Sequence, residues 1–550
     1  IFQDTVALFD LCVAFNKKYH QIKQEHNLLD FDDLILYTRK LFSDSATMGW
    51  VLSQLDVSLS HILVDEAQDT SPLQWDILRM ISGDFFASSK ASQMPNSMFV
   101  VGDTKQSIYG FQGADPSAFS HSRAEIAAQI KNNMRDIQEI PLAQSFRSVA
   151  PILNTVDSFF SDKDVRDLTG FVNNSHKCFR LHDKGYVHIN KLYSKQDDAD
   201  TSLTGYIKDI SDEIQRVLNT NKYQPSDIMV LVQRRSLLAA PLVAELKRRN
   251  IAVAGSDRIS LPDFPLVRDL LNLVRWCLDD TDDFSLCCVL KSPMFYLKEV
   301  DIYKLCAIRN DTNRTIKQSD SDAKTITVYD VLEQSLPDVY ARLTTIKDNA
   351  QNLSPYSFFC DVLNTDNTRQ RFVSALGAQV IDPLEEFITI CLSYERTQSG
   401  TMRDFLKWFI TGGSEVVRDM NTASGVRIVT VHGSKGLEAP VVFLVDTVRM
   451  PKSEKILSLE TGRAPVWLWG VGAADSAIYN TLSEQCADKK LAEYYRLLYV
   501  AMTRARDILY IYGYSATSSA PEKSWHTQLW RVFSTSDQSD FIRITNEDIA

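Results

Sequence analysis

Four mostly apolar residues, His61-Ile-Leu-Val64, run directly into Asp65-Glu66. A short apolar run bounded by acids predicts a buried strand that presents carboxylates at the carboxyl edge of a parallel sheet. Open α/β sheets bind their ligands at that edge. An Asp-Glu pair there suits nucleotide chemistry: Asp65 offers the hard oxygen that Mg²⁺ prefers, and Glu66 is placed to polarise a water attacking a γ-phosphate. A lone pair of acids after four apolar residues is more often a strand followed by a solvated loop. The followers Ala67-Gln68-Asp69-Thr70, and the blocks described next, shift that balance.

The pattern recurs. Met98-Phe-Val-Val-Gly102-Asp103 is a second apolar run ending in an acid, followed by Thr104-Lys-Gln106-Ser-Ile-Tyr109-Gly-Phe111-Gln-Gly113. Glycine permits a tight, exposed path there, Gln106 can hydrogen-bond a phosphate oxygen, and Tyr109 and Phe111 are either stacking surfaces for unpaired bases or buried anchors. Gln144-Ser-Phe-Arg147-Ser148 leads from an extended stretch into a helix. Arg147 at such a junction suits a phosphate oxygen, although an arginine taken alone is more often a surface ion pair. Asp227–Val232, the helix after it to about residue 249, and Ile251–Ala254 continue the alternation of strand and helix and predict a second α/β domain.

From Leu266 the texture changes. Leu266, Leu270, Val274 and Cys277 share one helix face, and strands become scarce. We expect a mainly helical insertion over 267–415, with the polar stretch Arg309–Lys324 as a loop inside it. Val426–His432 returns to strand, Gly433-Ser-Lys435-Gly436-Leu-Glu438 is a Gly-rich turn, and Val441–Asp446 is a further buried strand. Ser453–Gln485 reads as an irregular excursion. Ala492–Arg506 reads as helix, carrying Arg496 and Arg504 on successive turns, and Ile508–Tyr512 as a closing strand.

A chain of 550 residues has room for about three to four domains. Its net charge of −11 does not advertise nucleic-acid binding, which nevertheless needs only a local basic path. The nine cysteines show no CxxC spacing, so we expect a reduced, cytoplasmic setting without a zinc or iron–sulfur site. No apolar run approaches the ~18 residues of a membrane span, and no signal peptide is visible.

Taken together, these blocks resemble the UvrD/Rep-type superfamily 1 DNA helicases. They are Val64–Asp69, Gly102-Asp103 through Tyr109, Gln144–Ser148, Thr430-Val-His432 through Glu438, and Leu498-Tyr-Val-Ala-Met-Thr-Arg504-Ala505. Within the family, Asp65–Pro72 and Phe111–Pro116 are most similar to the AddA-type helicase–nuclease subunits, with RecB-type subunits next. The resemblance implies an α/β fold with two RecA-like P-loop NTPase motor domains, the first incomplete, and a mainly helical insertion in the second. On that pattern 1–28 is the tail of a first insertion, 29–144 part of the first motor domain, 145–266 and 416–515 the second, 267–415 its helical insertion and 516–550 a C-terminal extension.

The resemblance also implies roles. Asp65 is the Mg²⁺ ligand and Glu66, beside it, the catalytic base. Gln106 senses the γ-phosphate, and Arg147 and Arg504 are arginine fingers. Gly436 and Glu438 face the nucleotide, Glu438 at its ribose. Tyr109 and Phe111 stack on bases, and Thr430 and His432 contact the DNA backbone. ATP and Mg²⁺ are the implied cofactors. The implied partners are single-stranded DNA, DNA ends and a second, AddB-like helicase–nuclease subunit. The implied activity is ATP-driven 3′→5′ movement during bacterial double-strand break repair and recombination. Two departures stand out. No Gly-Lys dipeptide occurs in the chain, so the phosphate loop G-x-x-x-x-G-K-[ST] is missing, and no nuclease domain follows. We therefore read the chain as a fragment that by itself lacks ATPase activity. The alternative is a non-catalytic DNA-binding or scaffold subunit, since fold does not fix function. A free-standing nuclease at Asp65-Glu66 is a third reading, weakened by the lack of a further metal-ligand set.

Overall fold

The strand before the acids forms where the apolar run stands. In the computed structural model His61–Val64 pairs in parallel with Ser97–Val100, Val64 opposite Val100. The ladder continues past the carboxyl ends of the strands: the Val101 N–H donates to Val64 O and the Ala67 N–H to Val101 O, at 2.9 and 3.0 Å. Helices Pro72–Ser88 and Pro116–Asn132 flank this pair. Trp75, Ala67 and Ile126 make its small core. The strand is not buried as expected: Leu63 and Phe99 are exposed on this pair, at 75% and 58%, because no described element covers that face. The structure describes residues 2–43, 49–51, 61–88, 97–132, 137–171, 175–194, 203–234, 238–254, 258–319, 325–377, 380–397, 400–413, 415–417, 425–452, 456–459, 466–469, 477–534 and 541–545.

The apolar runs of the later segments build a six-stranded sheet. Its order is Arg427–Thr430, Ile228–Val232, Ala439–Leu444, Ala505–Ile511, Tyr186–Asn190 and Phe541–Ile544. All neighbours are parallel except the last, which closes the edge antiparallel. Ile228–Val232 is buried throughout, as a central parallel strand covered on both faces must be. Helix Leu203–Asn219 lays Tyr206, Ile207, Ile210 and Ile214 into the same core as Val230, Phe443 and Tyr510. The expected strand Ile251–Ala254 is reduced to one bridge, Val253 to Val426. These elements belong to one compact unit, Ile1–Gly255 with Ala423–Ala550.

The second unit, Ser256–Thr422, is helical apart from a short antiparallel pair, Arg258–Ser260 with Glu415–Val417, among the described residues. Trp276, Phe358, Phe359, Phe372, Phe387 and Phe405 dominate its core. Capping boxes at Thr327 and Thr401 start two of its helices, each satisfying amides that a helix end leaves bare.

Further sequence expectations are corrected, among them the helix through Arg506, which ends at Met502 and gives way to strand at Ala505. Arg309–Lys324 is not a loop as far as it is described: helix Glu299–Ser319 runs through it, and 320–324 lie outside the described residues. Its polar residues favour helix weakly, but tertiary anchors override propensity. Leu305 is buried in the core, Arg309 pairs with Asp283 at 2.9 Å, and Asn313 both donates to and accepts from the Ile326 backbone. Ser453–Gln485 likewise contains regular structure. Ile456–Leu459 pairs antiparallel with Val466–Trp469, and a helix begins at Ala477 and runs to Met502. Four-residue strands give too short a period to detect. Non-local contacts steady this pair: Phe9 of helix Phe2–Glu25 lies against Trp467, and the Trp469 N–H donates to Thr5 Oγ1. The polar stretch Lys195–Asp200, expected to be mobile, lies outside the described residues. No helix among those described is long and apolar enough to cross a membrane.

Candidate functional site

The chain leaves strand His61–Val64 through Asp65 into Glu66, whose backbone is left-handed (φ 49°, ψ 42°). A non-glycine residue there carries about 1–3 kcal/mol of strain, which persists only when the surroundings fix it. The surroundings are polar. Asp65 Oδ1 accepts the Glu66 N–H at 2.8 Å, and Gln68 Nε2 donates to Glu66 Oε2 at 2.5 Å. Gln68 is fully buried, and its Oε1 accepts the Asp103 N–H at 2.9 Å. Asp103 accepts Gln106 Nε2 at 3.1 Å and the Lys105 N–H at 3.0 Å. The two loops that follow the parallel strands are thus laced together. Gly102 is required by this approach: a Cβ there would stand 2.7 Å from Gln68 Oε1.

The arginines arrive from the amino edge of the second sheet. Parallel register pairs Ala439 with Ala505, so Glu438 and Arg504, each one residue earlier, come side by side, and the Ala439 N–H donates to Arg504 O at 3.1 Å. Arg504 is 3% exposed and is held by Val500 O and Leu437 O. Burial, and then the charge of nearby Arg147, bring its guanidinium down to about 10, against the opposing pull of Glu66, Tyr499 and Glu438. Arg147 donates to Glu438 Oε2 at 2.5 Å and to Thr503 O at 3.3 Å. The ion pair that an isolated arginine predicts is therefore present, inside the site.

Lys435 ties the halves together. Its ammonium bonds Asp69, lies 3.4 Å from Glu66 Oε2, and donates to Gln106 O at 2.9 Å. Burial raises the Asp69 carboxyl although Lys435 opposes it. Arg496 donates to Ser107 O at 3.1 Å and Glu493 accepts the Gly110 N–H at 3.0 Å, so helix Ala477–Met502 also grips the second loop.

Beside this cluster lies an aromatic one. Tyr109, Phe111 and His432 meet with ring centroids 5.5–6.1 Å apart, and the Tyr109 hydroxyl donates to His432 O. Phe111 is 69% exposed, whereas Tyr109 is half-buried beneath the Lys435 ammonium. Burial lowers the His432 imidazole. Thr430 Oγ1 accepts the Gly433 N–H, and Gly436 makes the turn with φ +82°.

Arg147, Arg504 and Glu438 therefore adjoin through direct bonds or near charges, with Glu66 near Arg504. Gln106 is joined to Glu66 indirectly, through Lys435 and through Asp103 and Gln68, and Tyr109, Phe111 and His432 form the neighbouring cluster. Asp65 is exposed beside Glu66. The sequence pattern does not single out Gln68, Asp69, Asp103, Lys435 or Tyr499 as site residues. Lys435 had a visible signal, a cation in a Gly-flanked turn. Gln68 had none, because an amide that braces two loops looks like any other glutamine. Phe146, next to Arg147, and Phe179 form an exposed ring pair 5.0 Å apart.

The donor set fits a magnesium nucleotide. Among the described residues no group of three or more His, Cys, Asp or Glu could hold a metal by itself. Mg²⁺ commonly takes one or two carboxylates and completes its shell with phosphate oxygens and water. Exposed Asp65 and Glu66 are the carboxylates that would hold the metal, and Arg147, Arg504 and Lys435 the cations that would face phosphate.

Comparison with known proteins gives two family matches. A UvrD/REP helicase N-terminal domain matches residues 5–127, and a UvrD-like helicase C-terminal domain matches residues 140–516, more than half the chain. The chain is similar to an ATP-dependent helicase/nuclease subunit of Lactobacillus helveticus, 25% identical over 93% of this chain and 44% of that protein. It is similar to the same subunit of Leuconostoc mesenteroides, 27% identical over 93% and 42%. It is also similar to the ATP-dependent DNA helicase PcrA of Staphylococcus aureus, 24% identical over 90% and 60%. The chain thus spans a little under half the length of the helicase/nuclease relatives.

Proposed function

The chain belongs to the UvrD-like family of ATP-dependent DNA helicases, and from that premise we propose that it is the central part of an ATP-driven DNA translocase, moving 3′→5′ in double-strand break repair as an AddA-type subunit. In this reading the two-stranded parallel pair is part of a first RecA-like motor domain, the six-stranded sheet a second, and the helical unit an insertion in the second. Residues 1–28 then end a first insertion, and 516–550 extend the second motor domain.

The observation that supports the proposal is Lys435, which bonds Asp69 and lies 3.4 Å from Glu66 Oε2, with Arg504, beside Arg147, near enough for the Glu66 charge to act on it. Acids from one lobe and guanidiniums from the other share one site, as phosphoryl transfer needs: a carboxylate to orient the attacking water, and cations where charge develops. Asp65 and Glu66 would hold Mg²⁺, which when bound would supply charge neutralisation. Asp65 is proposed as its ligand, Glu66 as the base, Gln106 as the γ-phosphate sensor, and Gly436 and Glu438 as nucleotide contacts. Glu438, bonded to Arg147, keeps that finger in reserve until phosphate competes for it. Tyr109, Phe111, Thr430 and His432 form the DNA side, an aromatic platform that tolerates any base. Lys435 spans both clusters, which gives hydrolysis a direct route to the DNA grip.

The phosphate loop is absent from these 550 residues, and exposed Leu63 and Phe99 leave an apolar face on the first sheet. We propose that a segment outside these residues covers that face and brings the loop, so that this chain by itself hydrolyses little ATP. A second helicase–nuclease subunit is the proposed partner, in the cytoplasm.

The test is DNA-stimulated ATP hydrolysis by the full-length protein. Glu66→Gln should abolish it, and Arg504→Ala should lower kcat about 10³-fold or more. Unchanged turnover in both variants would remove the site from the chemistry and favour the non-catalytic DNA-binding subunit.

A further inference from the structure

Arg180 lies outside every motif described above, yet its guanidinium joins the two stretches of chain that carry Arg147 and Arg504. Nη1 donates to Arg147 O at 2.7 Å and to Arg506 O at 3.4 Å. Nη2 donates to Asp507 Oδ1 at 2.7 Å, and Nε to Asp183 Oδ2 at 2.6 Å. The Arg180 side chain is 18% exposed and that of Asp507 14%. The Tyr223 hydroxyl holds the other Asp507 oxygen at 3.4 Å. A planar fork of five donors can serve two carbonyls and two carboxylates at once.

The segment bearing Arg180 is tied at both ends. Before it, the Lys177 and Phe179 N–H groups donate to Ala143 O and Ser145 O at 2.9 and 3.0 Å. After it, Tyr186 enters the six-stranded sheet opposite Ile508. Gly185 permits that passage: a Cβ there would stand 2.1 Å from Asp507 O and 2.6 Å from Val149 Cγ2. Between the ties, the Asp183 N–H donates to Arg180 O at 3.2 Å, a turn that aims the fork. Two bonds run along the same seam: Ser148 Oγ donates to Ala505 O at 2.5 Å, and the Val149 N–H to Arg506 O at 3.0 Å. The Arg147 carbonyl has no donor four residues on, because Pro151 stands there and carries no N–H. Arg180 supplies one.

We propose that Arg180 is a positioning residue for ATP hydrolysis: it clamps the Arg147 backbone to the strand that follows Arg504, so that the Arg147 side chain passes from Glu438 to phosphate about a fixed point. This rests on the hydrolytic reading of the site. On that reading the Arg147 side chain exchanges partners, so its backbone is the end that must stay put. Arg180 meets Arg147 at the carbonyl and acts through it. A displacement of about 1 Å in a group that meets the transition state can cost about 100-fold in rate. The contribution therefore falls on kcat and leaves ground-state binding alone.

The experiment is steady-state, DNA-stimulated ATP hydrolysis by the full-length protein carrying Arg180→Lys, alone and with Arg147→Ala, with thermal unfolding alongside. Lysine keeps a charge beside Asp507 but has three donors at one point, so it cannot hold both carbonyls and both carboxylates. Arg180→Met with Asp507→Asn strands no charge and decides the matter if the lysine variant folds poorly. Either change should lose about tenfold in kcat per folded enzyme, with KM for ATP within about twofold of the parent. In the Arg147→Ala background the same changes should cost less than about twofold, because the side chain they place is gone. A role in folding alone would lower turnover by the same factor in both backgrounds. Unchanged kcat, an equal loss in the Arg147→Ala background, or a loss confined to KM would overturn the proposal. Glu66→Gln run in parallel separates the two readings. If it leaves turnover intact, the hydrolytic reading itself fails; if it abolishes turnover while the Arg180 variants keep the parental kcat, only the clamp fails.

Discussion

Lys435 sets its ammonium 3.4 Å from Glu66 Oε2 while pairing with Asp69, so a cation from the second lobe stands among the acids of the first. Its side chain is 7% exposed and that of Asp69 17%. Removing one partner of a buried pair strands the other charge. Lys435→Met should therefore destabilise the unit by about 2–4 kcal/mol in urea unfolding, and adding Asp69→Asn should recover part of it. The pH dependence has a definite sign. Burial already raises the Asp69 carboxyl, and loss of Lys435 raises it further. An acid with a raised folded-state value gains stability as it takes up a proton, so the deficit of Lys435→Met shrinks as pH falls into the acid range.

On the proposed reading, the aromatic cluster separates DNA grip from folding. Phe111 is exposed, whereas Tyr109 is half-buried and bonded to His432 O. Phe111→Ala should weaken oligothymidine binding by about 1–3 kcal/mol without moving the unfolding midpoint. Tyr109→Ala should lower both affinity and stability. Binding by the parent should fall steeply with salt, because phosphate contacts release counterions. A titration at two salt concentrations, with thermal unfolding alongside, checks all three.

The helical unit offers an independent pH test. Burial raises the Asp269 carboxyl to about 6, against the pull of Arg268. Between about pH 4 and 6 the unfolded chain is ionised while the folded one keeps its proton, so stability falls as pH rises through that window and is flat above it. Asp269→Asn should abolish that slope and stabilise the unit at pH 7. Discounted for partial exposure, the gain is on the order of 1 kcal/mol, about 2–4 °C at this size. Melting curves at pH 4, 5, 6 and 7 measure it.

Much of the site could be read from the sequence because its residues follow apolar runs whose ends are fixed by the sheet. Asp65-Glu66 and Asp103 follow their strands, whereas Arg504, expected inside a helix Ala492–Arg506, stands between the end of that helix at Met502 and the start of strand Ala505–Ile511. What could not be read was pairing across sequence distance. Nothing in the sequence says that Glu438 faces Arg147, since that depends on the register of Ala439 against Ala505. The bracing roles of Gln68 and Arg180 are likewise products of packing between segments. Periodicity failed where polar residues hold a helix by tertiary anchors, as in Arg309–Ser319, and where strands have only four residues, as in Ile456–Leu459.

The central claim is that carboxylates on one lobe and guanidiniums on the other close on a single triphosphate. A structure of the full-length protein with Mg²⁺ and a non-hydrolysable ATP analogue tests it most directly. The account predicts that Arg147 leaves Glu438, that Arg147 and Arg504 both reach the terminal phosphate within about 3 Å, and that Asp65 faces the metal. An analogue bound elsewhere, or bound with Arg147 still on Glu438 and Arg504 still directed only at Val500 and Leu437, would contradict it.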